Sequence, residues 1–102
     1  MSGEKISQAE LKALLASGSV VVLDVRSAEE FEKGHFPVSL HRPLNTLPGS
    51  IVDLAKEGTI VTVCNEGGGR SERAAHILRE AGWKGTRWLE GGYLGWIEAG
   101  MP

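Results

Sequence analysis

Cysteine is nearly missing from this sequence: Cys64 is the only one among 102 residues, so no internal disulfide can form. The three histidines, His35, His41 and His76, lie too far from Cys64 and from one another for the close Cys/His spacing of a zinc site. No metal and no cofactor are therefore expected, and the expected compartment is the reducing cytoplasm. An excess of charge is equally missing. With 11 basic and 13 acidic residues the formal charge is −2, and no block of like charge occurs. Neither nucleic acid nor an anionic membrane is an expected partner. No hydrophobic run is long enough to span a bilayer, and the N-terminus lacks the apolar core of a secretory signal. The length suits one domain over residues 1–102, able to bury about 60 to 70% of its unfolded surface. No linker, internal repeat or low-complexity tract divides it.

What is present alternates between two periodicities. Ser7 and Glu10 have the spacing of a capping box, and Leu11, Leu14 and Leu15 follow at helical spacing until Gly18. Val20 to Val25 is a short β-branched run of the kind buried on both faces of a parallel sheet. Ser27 and Glu30 repeat the capping-box spacing and predict a short helix that Gly34 ends. His35 to Gly49 holds three prolines and predicts mostly connection, with one brief strand near Val38 to His41. Ser50 to Lys56 is expected to make two helical turns. Thr59 to Val63 is a second central strand, Ser71 to Ala81 an amphipathic helix, Thr86 to Leu89 a strand and Tyr93 to Ala99 a last helix. This alternation predicts an α/β fold, a central parallel sheet with helices on both faces. Ligands collect at the carboxyl ends of such strands.

Cys64 stands at one of those ends and opens the loop Cys64-Asn65-Glu66-Gly67-Gly68-Gly69-Arg70-Ser71. Successive glycines reach backbone angles closed to other residues, so consecutive N–H groups can turn inward around an anion. The start of the next helix adds partial positive charge. Arg70 either presents its guanidinium to an oxyanion or pins the loop from outside. Such a field favours the thiolate, the nucleophilic form of cysteine. It would equally favour a persulfide, a phosphocysteine or an arsenate adduct. The competing reading is a buried small hydrophobe; the position between a buried strand and a glycine-rich turn favours the reactive one.

Three segments together resemble the rhodanese superfamily. Leu23 to Pro37 resembles its first signature, with Asp24-Val25-Arg26 after a buried strand and Gly34-His35-Phe36-Pro37 behind it. Cys64 to Ser71 occupies the place of its active-site loop, and Glu90 to Pro102 resembles its closing signature. The resemblance implies a rhodanese-like fold and a sulfurtransferase in which Cys64 carries sulfane sulfur as a persulfide. The sulfur would pass from a small anionic donor such as thiosulfate to a thiol or other thiophilic acceptor. Asn65, Glu66, Gly67, Gly68, Gly69, Arg70 and Ser71 would form the cradle, with Asp24, Arg26 and His35 in support.

The chain departs from the family pattern in two places. Val38-Ser39 stands where Gly-Ala is usual after Pro37. From Cys64 to Arg70 the loop spans seven residues, one more than is usual for the sulfurtransferases. That length matches the Cys-x5-Arg loop of the related cell-cycle phosphatases and arsenate reductases, although Val63 replaces the His they place before the cysteine. A phosphatase-like or arsenate-reducing activity is the rival expectation, and a sulfur-relay or sensing module served by a partner protein is the third. The extra residue predicts weak thiosulfate turnover beside measurable phosphate or arsenate binding.

Several residues carry structural expectations. Asp24 is expected to hold a loop or helix start, and His35 to bond backbone. Glu66 is expected to point outward, since a carboxylate inside the cradle would repel an anion. Arg42 and Arg73 are expected on the surface, and Trp83, Trp88 and Trp96 against helix and sheet ends.

Overall fold

The computed structural model describes residues 4–100. Met1 to Gly3 lie outside them, as do Met101 and Pro102, the last two residues of the third resembling segment. Five parallel strands form one sheet: β1 (Glu4–Ile6), β2 (Val21–Asp24), β3 (Ser39–His41), β4 (Ile60–Val63) and β5 (Thr86–Leu89). Their order is β1-β5-β4-β2-β3, so β4 lies at the centre with Cys64 just beyond its carboxyl end. The helices are α1 (Gln8–Ser17), α2 (Ala28–Lys33), α3 (Gly69–Glu80) and α4 (Gly92–Glu98). The anticipated α/β architecture is the one observed.

The strand period of two sorts the core into two layers. On one face Val22, Val61, Val63 and Leu89 meet Leu11 of α1 and Trp96 of α4. On the other, Leu23, Ile60 and Cys64 meet Ala74 and Leu78 of α3, together with Ile51 and Trp83. Cys64 therefore faces α3 because Ile60 does.

Both capping boxes form as the sequence predicts: Ser7 and Glu10 bond each other's backbone N–H, and so do Ser27 and Glu30. The structure differs from expectation at three elements. Glu4–Ile6, for which the sequence predicts no element, pairs with β5 as an edge strand, and only Ile6 of it is buried. Ser50 to Lys56 makes no α-helix. A 3₁₀ turn over Gly49–Ile51 brings Ile51 into the core, and the Leu54 carbonyl accepts Trp83 Nε1 at 3.1 Å, a tertiary bond that takes up an acceptor at this turn's end. Finally, α3 begins at Gly69 rather than Ser71. Gly68 is its N-cap, with φ 65° and ψ −152°, so Arg70 belongs to the helix's first turn. No helix among the described residues is long and apolar enough to cross a membrane.

One buried hydroxyl joins the central strand to the helix over the site: Thr62 Oγ1 donates to the Ser71 carbonyl at 2.7 Å. Thr62→Val keeps the shape and removes the donor. It is expected to cost about 0.5–1.5 kcal/mol, read as a lower urea midpoint with an unchanged slope.

Candidate functional site

The loop after β4 is shaped from below by α4. Its first-turn N–H groups, those of Tyr93 and Leu94, donate to the carbonyls of Cys64 (2.8 Å) and Asn65 (2.9 Å). In a trans peptide the following N–H points opposite to the carbonyl, so the N–H groups of Asn65 and Glu66 turn away from α4. Among the described residues, none of the backbone N–H groups of 65–70 donates to a backbone or side-chain acceptor. A run of unspent donors at a helix start is an anion site in waiting.

Close approach makes glycine necessary at two points. A Cβ on Gly67, whose φ is 82°, would lie 2.7 Å from the Gly91 nitrogen. One on Gly92, whose φ is 64°, would strike the carbonyls of Asn65 and Cys64. Gly92→Ala is thus expected to displace the loop and slow alkylation of Cys64.

Cys64 itself is 4% exposed, at the floor of a cavity of about 420 Å³ lined by Asn65, Glu66, Gly67, Gly69 and Arg70. The polar atoms beside its Sγ are the Ser71 hydroxyl at 3.2 Å and the Gly68 carbonyl at 3.4 Å. Ser71 is fully buried and bonds the same carbonyl at 3.0 Å. Its hydroxyl can instead rotate toward sulfur when sulfur is the better acceptor.

To one side, buried charge holds the loop. The Arg26 guanidinium bonds both oxygens of Asp24, the Gly34 carbonyl at 2.7 Å and Asn65 Oδ1 at 3.1 Å, and it lies over the Tyr93 ring. Asn65 Nδ2 then donates to Glu30 at 2.7 Å. Glu30 also accepts both terminal nitrogens of Arg70, at 2.7 and 3.0 Å. The Arg70 hydrogen bonds, with the Ser27 backbone next in weight, lower the Glu30 pKa from 4.5 to about 2. The same pairing raises that of Arg70.

Cys64, Asn65, Glu66, Gly67, Gly69 and Arg70 come together around the cavity, while Gly68 and Ser71 sit beneath Sγ. Arg70 lines the rim, but its fork grips Glu30. Glu66 is exposed and also lines the cavity. Asp24 clamps Arg26 through both side chain and backbone N–H. His35 bonds the Phe36 carbonyl and stacks on Phe31, apart from the cavity. Arg42 donates to the carbonyls of His41 and Ser50, and exposed Arg73 borders a separate depression with His76. The sequence reading missed Glu30, seen only as a cap, and Gly92 and Tyr93. The capping spacing marked Glu30; nothing local marked its reach to Arg70.

Because folding depresses the Glu30 pKa, its contribution to stability is complete above about pH 4.5 and is lost as the pH falls toward 2. The pair is partly exposed, so the effect is expected to be about 1 kcal/mol. Urea unfolding of the parent and Glu30→Gln should differ most near neutrality and converge toward pH 2.

An uncharacterised protein of Synechocystis sp. is 36% identical over 95% of this chain and 54% of its own length. The chain spans 31 to 54% of the length of the first curated relatives it matches. Among solved structures, the human single-domain sulfurtransferase TSTD1 superposes with a TM-score of 0.84 at 31% identity, over 94% of this chain and 96% of that one. A Rhodopseudomonas palustris protein of unknown function, described as a possible tyrosine phosphatase, also gives 0.84 at 31% identity, over 98% and 83%. The family model described as rhodanese-like domain matches residues 7–99, and the chain belongs to that family.

Proposed function

We propose that this protein is a sulfurtransferase working through a persulfide on Cys64. The observation that carries the reading is the surroundings of Sγ: unspent peptide donors and one hydroxyl, with no carboxylate or imidazole among the described residues bonded to it. Sulfane transfer needs little more. The Cys64 thiolate attacks the outer sulfur of a donor such as thiosulfate, the donor's S–S bond breaks, and sulfite leaves with the electron pair. Sulfite is a weak base and departs without a general acid. The terminal sulfur now bears the negative charge within reach of the loop N–H groups. A thiolate acceptor attacks that sulfur, and the Cys64 thiolate is released.

The loop length and the Rhodopseudomonas palustris likeness favour a second reading, phosphate or arsenate chemistry in the same cradle. Two features weigh against it. Arg70 spends both terminal nitrogens on Glu30, and exposed Glu66 has no hydrogen-bond partner among the described residues to orient it toward a leaving alkoxide. The resemblance of 94% of the chain to a human single-domain sulfurtransferase supports the first reading.

Intact-mass measurement after incubation with thiosulfate is expected to show the chain heavier by one sulfur atom, and Cys64→Ser to stay unmodified. Hydrolysis of an aryl phosphate, or arsenate reduction with a thiol, in a chain that never takes up sulfur would replace this reading with the second.

A further inference from the structure

A second cavity adjoins the first and does not include Cys64 in its lining. It measures about 280 Å³ and is lined by Arg26, Glu30, Lys33, Gly34, Asn65, Tyr93 and Leu94. Asn65 is the wall between the two, since it lines both. The volume is at the low end for small-molecule sites, suited to a ligand of few atoms.

The polar groups of this cavity divide into spent and unspent. Glu30 is neutralised by Arg70 and also bonded by Asn65, while Arg26 is neutralised by Asp24 and donates further to Asn65 and the Gly34 carbonyl. Lys33, exposed in the last turn of α2, has no ion pair or hydrogen bond among the described residues. The Tyr93 hydroxyl, which would lie 2.9 Å from a Cβ on Gly34, has no hydrogen-bond partner among them either. The unspent groups are therefore one cation and one neutral donor, both suited to a carboxylate. Between them and the loop stand the Tyr93 ring and Leu94, which is 49% exposed.

Resting on the persulfide reading above, we infer that this second cavity binds the sulfur acceptor, a small thiol bearing a carboxylate at the far end of an aliphatic chain. The carboxylate sits on Lys33 and the Tyr93 hydroxyl, the chain lies along Leu94 and the Tyr93 ring, and the thiol passes Asn65. Its thiolate attacks the terminal sulfur of the Cys64 persulfide. A new S–S bond forms on the acceptor, the Cys64 S–S bond breaks, and its electron pair returns to Cys64 as thiolate; no oxidant or reductant is consumed.

The test compares two acceptors of equal length and opposite charge, 6-mercaptohexanoate and 6-aminohexanethiol, with thiosulfate as donor. The parent is expected to favour the carboxylate thiol through KM. Lys33→Glu should raise KM for that thiol at least tenfold and lower it for the amine, while Lys33→Gln reduces the preference to the part that the Tyr93 hydroxyl supplies. Tyr93→Phe, which keeps the ring, should raise KM for the carboxylate thiol severalfold and leave that for the amine. A parent that forms the persulfide yet consumes both thiols with equal KM, or a preference that survives Lys33→Glu, overturns the acceptor site. A parent that forms no persulfide overturns the underlying sulfur-transfer reading instead, and the acceptor site with it.

Discussion

The buried guanidinium of Arg26 is the joint on which the site depends. It is 2% exposed as a residue, and a cation so placed is tolerable only when its donors are met. Asp24 meets it from the end of β2, the Gly34 carbonyl from the turn after α2, Asn65 from the cysteine loop and the Tyr93 ring from α4. Each partner belongs to a different segment, so satisfying one charge fixes all of them relative to one another. Removing either member of the Asp24–Arg26 pair would leave an uncompensated charge in the interior, a loss of about 3–5 kcal/mol.

Around that joint the loop is held from two directions. From beneath, the first turn of α4 takes the carbonyls of Cys64 and Asn65, and contact with Gly67 and Gly92 is too close for any side chain. From the side, Asn65 is clasped by Arg26 and Glu30. What is left over is the set of peptide N–H groups above sulfur. The cradle thus consists of dipoles whose opposite ends are already bonded, which keeps reorganisation small when charge arrives.

Arg70, the cation lining the rim of the cysteine cavity, is restrained by Glu30 in a bidentate pair, so the positive potential offered there comes chiefly from backbone dipoles. This division fits a charge spread over polarizable sulfur more comfortably than the dense charge of a phosphoryl group. It also leaves the neighbouring cavity with Lys33 as its available cation, because Arg26 is paired with Asp24 and Glu30 with Arg70.

Much of this was determined by local sequence. Capping boxes at Ser7 and Ser27, the buried runs that became β2 and β4, and the glycines before α3 are short-range signals, and each acts over a few residues wherever the chain goes. They were enough to place Cys64 at a strand end facing a helix start. The β1 edge strand was not legible, because three residues gain strand structure only by pairing with β5, more than 80 residues away. The segment from Ser50 to Lys56 forms no α-helix, and its contacts are tertiary: Ile51 enters the core and the Leu54 carbonyl accepts Trp83, 29 positions away. The same holds at the site. The sequence determined which nucleophile stands in which kind of loop; tertiary structure decided that Arg70 grips Glu30 across 40 positions, that α4 turns the loop's donors inward and that Lys33 and Tyr93 share a cavity. Those outcomes depend on how whole elements dock, and the angle between two helices is written in no stretch of either.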